Sequence, residues 1–244
     1  MRKILSVIFL ISSVLPAFSQ QAEFNGFTRG SVFGGGETYD YASVFGEMGL
    51  QTRFGQGNTF LFSDLRFRTG LDFGEKNTRF HIKEAYAAYR GKKFDISLGN
   101  QIVQWGRTDG FNPTNNISSY DYFFLSGDPD DQKISSFMLR MRYRLNQTID
   151  VDLIGIPFYV PSAYRYDLFD FGDAASFGKA AMPDKTFGNG SIGARINFEY
   201  PVIGFSVSYF NGYDPFYGFT VSVIDWSTGT PLITNTATPY HKQT

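Results

Sequence analysis

The chain contains no cysteine, only two histidines and only two tryptophans among 244 residues. The absence of cysteine excludes disulfides and thiolate metal sites. With 22 basic and 23 acidic residues, the formal net charge of −1 gives no general attraction to nucleic acid. After residue 18, no segment approaches the roughly 20 continuous apolar residues of a transmembrane helix. We therefore expect no cofactor, no nucleic-acid partner and no helical span in the mature chain.

Catalytic and metal-binding patterns are also scarce. The histidines His81 and His241 lie far apart in the chain, and neither accompanies a serine elbow or a metal-ligand spacing. The acidic run 128–131 offers hard oxygen atoms that suit calcium. It lacks the spacing and the closing glutamate of a calcium loop, so a solvated turn is the preferred interpretation. The sequence predicts no enzyme and no metal site.

The first residues have the pattern of an export signal. Met1, Arg2 and Lys3 precede an apolar stretch over 4–18, and small residues at Ala17 and Ser19 suit cleavage before residue 20. We predict a signal peptide over residues 1–19.

Aromatic residues and glycine are abundant, at 18% and 26 residues, and the apolar residues alternate with polar ones. Alternation with period 2 places successive side chains on opposite faces of a strand. In 61–73, leucine and phenylalanine occupy one face, and aspartate and arginine the other. About nine strands are predicted in this way. They are Phe24–Phe33, Val44–Phe54, Leu61–Phe73, Arg79–Arg90, Phe94–Trp105, Ser135–Leu145, 149–153, Ile192–Tyr200 and Val202–Phe210.

The predicted connections are short in some places and long in others. Segments 55–58, 91–92 and 146–147 are tight, whereas 106–133 and 158–188 are long. Alternating strands with short turns and long loops are typical of outer-membrane barrels. A water-soluble sandwich also alternates, with its polar face toward solvent, and the pattern does not tell which face is outside.

We predict an all-β fold, a transmembrane antiparallel β-barrel over residues 20–213 with long outer loops at about 106–133 and 158–188. Residues 214–244 offer no closing strand with a terminal aromatic, and an odd strand count is unusual. They are expected to form an outer loop or a truncated segment. The barrel is therefore expected to be the incomplete N-terminal portion of a larger one.

If the apolar face meets lipid, the charged face lines the lumen. Arg144 with Asp150, and Arg142 with Asp152, are expected to face each other across the 146–147 turn. An arginine row favours anions, but the same pairs could instead hold a barrel interior shut, and both interpretations stay open. The predicted lumen-lining residues are Arg53, Arg66, Arg68, Arg140, Arg142, Arg144, Arg195, Glu47, Asp64, Asp72, Asp150, Asp152 and Glu199.

One stretch carries a family resemblance. Segments 83–86 (KEAY) and 99–109 (GNQIVQWGRTD), with Asn112-Pro113, resemble a motif of porin-like outer-membrane barrels of Gram-negative bacteria, and more distantly of phosphate-selective and alginate-export porins. The resemblance implies a larger porin in which a strand delivers the chain into a constricting loop. Parity within 94–107 places Gln101, Trp105 and Arg107 on one face. An alternative is that Trp105 anchors the strand end at the membrane interface. The constriction residues so assigned are Gln101, Trp105, Arg107 and Asp109.

These patterns predict a porin-like channel for passive diffusion of small polar or anionic solutes through a charged lumen, in the outer membrane of a Gram-negative bacterium. The alternative is a non-conducting barrel that acts as a surface binding or assembly component of an envelope complex. Expected partners are outer-membrane lipid and small polar or anionic solutes, and a homo-oligomer or an envelope-protein partner stays open.

Overall fold

A computed structural model describes residues 21–35, 41–106, 115–165, 175–227 and 231–244. The predicted signal peptide and the predicted constriction residues Arg107 and Asp109 lie outside these ranges. The chain divides into two compact units, Met1–Gln101 and Ile102–Thr244. Strands dominate both units and the described residues contain no α-helix, which confirms the all-β prediction.

The described residues contain no helix that is long and apolar enough to cross a membrane.

The first unit is an antiparallel meander in which each strand pairs with the next one along the chain. Its hairpins are tight because Gly57 and Gly74 adopt positive φ angles of 59° and 82°, which only glycine adopts readily. The strands are β1 (Gln21–Gly34), β2 (Tyr41–Gln56), β3 (Thr59–Asp72), β4 (Glu75–Arg90) and β5 (Phe94–Gln101).

The second unit contains a larger antiparallel sheet and two small ones. Its larger sheet runs in the order β8, β9, β11, β12, β15; β13 pairs with β14, β10 lies parallel to β14, and β6 pairs with β7. The strands are β6 (Ser119–Tyr120), β7 (Lys133–Ile134), β8 (Ser136–Arg144), β9 (Ile149–Ile156), β10 (Ala175–Phe177), β11 (Ser191–Glu199), β12 (Gly204–Tyr213), β13 (Gly218–Asp225), β14 (Leu232–Thr238) and β15 (His241–Gln243).

Every predicted strand is present, but one of them ends four residues earlier than predicted. The strand predicted over Phe94–Trp105 ends at Gln101. Beyond that residue, the Val103 amide donates to the Ser118 hydroxyl at 3.2 Å instead of joining a sheet ladder. No sheet closes on itself within the part of the chain that is described, so the architecture shown is an all-β fold whose long strands pair in an antiparallel manner.

The predicted outer segment 214–244 contains strands of its own. β15 pairs with the end of β12 through Tyr213 and His241. The pairing continues to Thr244, whose amide donates to the Phe210 carbonyl at 3.0 Å and whose carbonyl accepts from the Phe210 amide at 2.8 Å.

On the long strands, the charged side chains are buried and the apolar side chains are exposed, which is the reverse of the arrangement in a water-soluble sheet. Glu47 and Arg68 are only 2% and 3% exposed, whereas the neighbouring Met48 and Phe67 are 58% and 41% exposed. In a water-soluble antiparallel sheet, the apolar face packs on the core and the polar face meets water. The same inversion occurs in the second unit, where Asp152 is completely buried and Leu153 is exposed. We call the buried side the charged face and the other the apolar face.

Candidate functional site

In the first unit, the charged face is organised around Glu47 at the centre of β2. Strand register places Arg29 of β1 and Arg68 of β3 directly opposite Glu47 on either side. Arg68 donates to the Glu47 carboxylate through Nε at 2.9 Å and Nη2 at 2.6 Å, and Arg29 donates through Nη2 at 3.0 Å. Arg66 Nη1 lies 3.9 Å from the other carboxylate oxygen. One buried carboxylate therefore compensates several guanidinium groups.

A second carboxylate, Asp64, extends this network along β3. Arg66 donates to Asp64 through Nε and, at 2.8 Å, through Nη2, while Gln51 Nε2 donates to the same carboxylate at 2.8 Å. The guanidinium groups also lie over aromatic rings, Arg66 over Phe27 at 4.6 Å and Arg68 over Phe45 at 3.8 Å. Stacking on ring faces stabilises arginines that are shielded from water.

The remaining lumen-lining candidates of this unit are less enclosed. Asp72 accepts a hydrogen bond from Asn77 at 3.3 Å and lies 4.0 Å from Arg79 Nη2. Arg53 is exposed, and its guanidinium lies 3.9 Å from the centre of the Phe60 ring. It forms no ion pair with a carboxylate of the described residues. Arg53 therefore keeps its hydrogen-bond donors available.

In the second unit, Asp152 of β9 is the buried centre. Arg140 binds it in a bidentate manner, from Nε to Oδ1 at 2.9 Å and from Nη2 to Oδ2 at 2.7 Å. The Trp105 indole donates to Oδ2 at 3.3 Å, and Arg195 Nη2 lies 3.6 Å from the same oxygen. Arg195 also lies over the Trp105 ring at 5.2 Å. A single carboxylate thus joins β8, β11 and the segment that follows β5.

The charge pairs of this unit are offset from the predicted ones. The backbone register does set Arg142 opposite Asp152 and Arg144 opposite Asp150, as predicted. The ion pairs, however, join Arg140 to Asp152 and Arg142 to Asp150, the latter at 2.8 and 2.9 Å. A long side chain leans along its strand and reaches the diagonal neighbour, so register alone does not fix the partner.

The outer end of this network is less buried. Asn197 donates to Asp150 Oδ2 at 2.9 Å and completes the coordination of that carboxylate. Arg144 is half-buried, and Glu199 is exposed at the end of β11.

Trp105 lies in the interior of the second unit, only 2% exposed. It packs in an apolar cluster on the charged-face side of the sheet. The segment carrying it is fixed by Ser118, which accepts from the Val103 amide and donates to the Val103 carbonyl at 2.5 Å. This burial argues against the alternative of an interface anchor. Strand parity does not explain it, because β5 ends before Trp105. The cluster comprises Val103, Trp105, Ile117, Met138, Ile154, Ile156 and Phe210.

Gln101, the other described constriction candidate, belongs to the first unit. It is 4% exposed, and its side-chain carbonyl accepts from the Ser97 hydroxyl at 2.6 Å. The Ser97 hydroxyl belongs to the same strand, four residues earlier.

Gly193 leaves the space that the Trp105 ring occupies. A β-carbon at this position would lie 2.7 Å from Cη2 of Trp105. We expect Gly193→Val to cost about 1–3 kcal/mol of unfolding free energy, because overpacking forces the ring to move. With exposed Trp226 replaced by phenylalanine, Trp105 fluorescence should shift to the red.

The matched test of this contact is the double variant Gly193→Val with Trp105→Phe. Because the two positions touch, their costs should sum to more than the cost of the double variant. Additive costs would contradict the contact.

Several residues of these hydrogen-bond and ion-pair networks were not among the predicted site residues. Arg29 lies in a strand whose alternation is irregular. Gln51 and Asn197 share the polar parity of their strands, but they carry no charge and are not among the predicted lumen-lining residues. Their parity with Glu47, Asp64 and Asp150 in the paired strands is the signal that could have identified them.

The acidic run 128–131 forms a short 3-10 turn that satisfies its own carboxylates. The Asp128 side chain accepts from the Asp130 amide at 2.9 Å, and Asp131 accepts from the Ser126 hydroxyl at 2.6 Å. Lys133 pairs with Asp130. No group of three acidic or histidine side chains suited to a metal ion occurs in the described part of the chain.

No protein-family model and no curated protein matches this chain. Its resemblance to porin-like barrels stays a prediction, and its function has to be inferred from its own residues.

Proposed function

We propose that the chain is an outer-membrane, porin-like protein whose apolar face meets lipid and whose charged face lines a passage for small polar or anionic solutes. The observation that carries the proposal is the inverted burial of its strands, with Glu47 and Asp152 buried and Met48 and Leu153 exposed. Rows of exposed apolar side chains along the strands favour contact with hydrocarbon, because monomeric water-soluble proteins rarely expose large continuous apolar patches.

The charges of this face are arranged to be stable where water is scarce. Bidentate arginine–carboxylate pairs at 2.7–2.9 Å hold Asp152 and Asp150. Such pairs compensate charges that would otherwise be costly to desolvate. Because their donors are used in these pairs, Arg140 and Arg142 mainly stabilise the sheet, whereas Arg53 keeps free donors for a passing anion.

The direct test is conductance of the complete protein in planar lipid bilayers. Stepwise conductance with a mild preference for anions is expected if the charged face lines an open passage. A correctly folded and inserted protein that stays silent over the whole voltage range would contradict the proposal.

Arg53→Glu is expected to shift the reversal potential in a salt gradient toward cation preference. Arg53 is exposed and forms no ion pair with a described carboxylate, so reversing its charge should leave the folded sheet intact. Arg53→Gln should give an intermediate shift because it removes only one charge. Identical reversal potentials for all three proteins would exclude Arg53 from the passage.

A second candidate function is a non-conducting surface component of an envelope complex. The placement of Trp105 and Val103 against the charged-face side of the second unit favours it, because a seated segment occupies space that solutes would need. Stable co-purification with another envelope protein, together with silent bilayers, is the result expected from this candidate. Conductance without a co-purifying partner would exclude it.

A further inference from the structure

The charged face of the first unit contains a cleft of about 330 Å³. It lies toward the ends of the strands that are joined by the tight turns at 57–58 and 91–93. Its volume is at the lower end of small-molecule sites, which suits a ligand the size of one amino acid or a dipeptide. Among the residues that line it are Glu23, Arg53, Phe60, Phe62, Tyr86 and Arg90.

The cleft holds charges of both signs that do not neutralise each other. Glu23 and Arg53 are direct partners in the β1–β2 register. They form no ion pair, because the Arg53 guanidinium lies over the Phe60 ring at 3.9 Å. Opposite charges on paired strands normally attract. Here a carboxylate and a guanidinium line the same cleft, and each can form hydrogen bonds to a ligand.

A second cation and an aromatic wall complete the cleft. Arg90 pairs with Asp95 at 3.5 Å, but its side chain is still 43% exposed and can contact a ligand as well. Phe62 and Tyr86 lie 5.3 Å apart, centre to centre, and Phe60 lies 6.3 Å from Tyr86. Together these rings form an apolar surface beside the charged groups.

We infer that this cleft binds a zwitterionic amino acid with an apolar or aromatic side chain. The carboxylate of the ligand would bind Arg53 and Arg90, its ammonium group would bind Glu23, and its side chain would lie on Phe62 and Tyr86. A purely anionic solute would meet Glu23 as a repulsive neighbour, and a neutral sugar would leave both charges without a partner. The inference rests on the proposed function in one respect, that solutes reach this face.

The probe is L-phenylalanine, with 3-phenylpropionate and 2-phenylethylamine as analogues that each lack one charge. Binding to the full chain, folded in detergent, is measured by isothermal titration calorimetry. We expect L-phenylalanine to bind with a Kd on the order of 0.1–1 mM. Each analogue should bind at least about tenfold more weakly, because each loses one charge-assisted hydrogen bond.

Two variants assign the charges to their partners. Arg53→Gln should weaken L-phenylalanine about tenfold without changing the affinity for 2-phenylethylamine, which has no carboxylate. Glu23→Gln should weaken L-phenylalanine similarly without changing the affinity for 3-phenylpropionate. Lys76→Gln is the matched control, because Lys76 is exposed at the start of β4, at the opposite end of the strand from Arg90, and this variant should bind all three probes like the unmodified protein. Circular dichroism of every variant verifies the fold.

Lack of L-phenylalanine binding would overturn the inference, as would equal affinity for the two analogues and the amino acid. Unchanged affinity in both cleft variants would overturn it too, because the site would then lie elsewhere. These outcomes are separate from the bilayer test: binding in a silent protein contradicts only the channel, and conductance without binding contradicts only this site.

Discussion

Replacing Asp152 with alanine is expected to lower the free energy of unfolding by about 3–5 kcal/mol, the cost of breaking a buried ion pair by removing one partner. Asp152 is completely buried and holds the guanidinium of Arg140 at 2.7 and 2.9 Å and the indole of Trp105 at 3.3 Å. Without the carboxylate, Arg140 and the nearby Arg195 would lose the negative charge that compensates them, and the Trp105 indole would lose its acceptor. Urea unfolding in detergent, followed by Trp105 fluorescence with Trp226 replaced by phenylalanine, measures the loss.

Asp152→Asn separates charge from hydrogen bonding in this cluster. Its amide oxygen can still accept from the Trp105 indole, so we expect a smaller loss than for alanine. The exposed Asp184 is the control, and Asp184→Ala should stay within about 0.5 kcal/mol of the unmodified protein. An Asp152→Ala variant as stable as this control would contradict the role of Asp152 as the buried centre.

Met48→Arg is expected to destabilise the protein in lipid by about 2–4 kcal/mol, the cost of an arginine on the lipid side of a membrane strand near mid-depth. Met48 is 58% exposed on the apolar face and lies opposite Phe67 in the β2–β3 register. In a water-soluble sheet, the same change at an exposed position would be nearly neutral. Urea unfolding from phosphatidylcholine vesicles distinguishes the two environments.

The control for Met48→Arg is Asn58→Arg in the tight turn between β2 and β3, where the new charge remains in water. We expect little change for that variant. If both arginine variants unfold at the same urea concentration as the unmodified protein, the apolar face does not contact lipid and the water-soluble sandwich becomes the better description.

The strands were predictable because their side chains repeat with period 2 and their turns contain glycine. In 61–73, parity alone assigned Asp64, Arg66 and Arg68 to one face, and the structure places all of them on the buried side. Which face is buried could not be predicted, because alternation is identical in a water-soluble sheet and in a membrane sheet.

The interior of the second unit could not be predicted for a different reason. Parity follows the chain only while a strand continues, and β5 ends at Gln101. Trp105 is positioned by the Val103–Ser118 hydrogen bonds and by the space above Gly193, which are contacts between distant residues. The diagonal ion pairs of Arg140 and Arg142 depend on side-chain direction, which register does not reveal.

The connectivity of the two units has a consequence for the time course of folding. In the first unit every strand pairs with its neighbour in sequence, so pairing can spread hairpin by hairpin with little loop-closure entropy at each step. The second unit is tied by remote contacts, such as Lys242 Nζ to Asn116 Oδ1 at 3.0 Å, which join residues 126 positions apart. We expect residues 21–101 to gain protection from amide hydrogen exchange first during refolding. We expect the described residues of the second unit to stay accessible to proteases until Lys242 has packed beside Asn116.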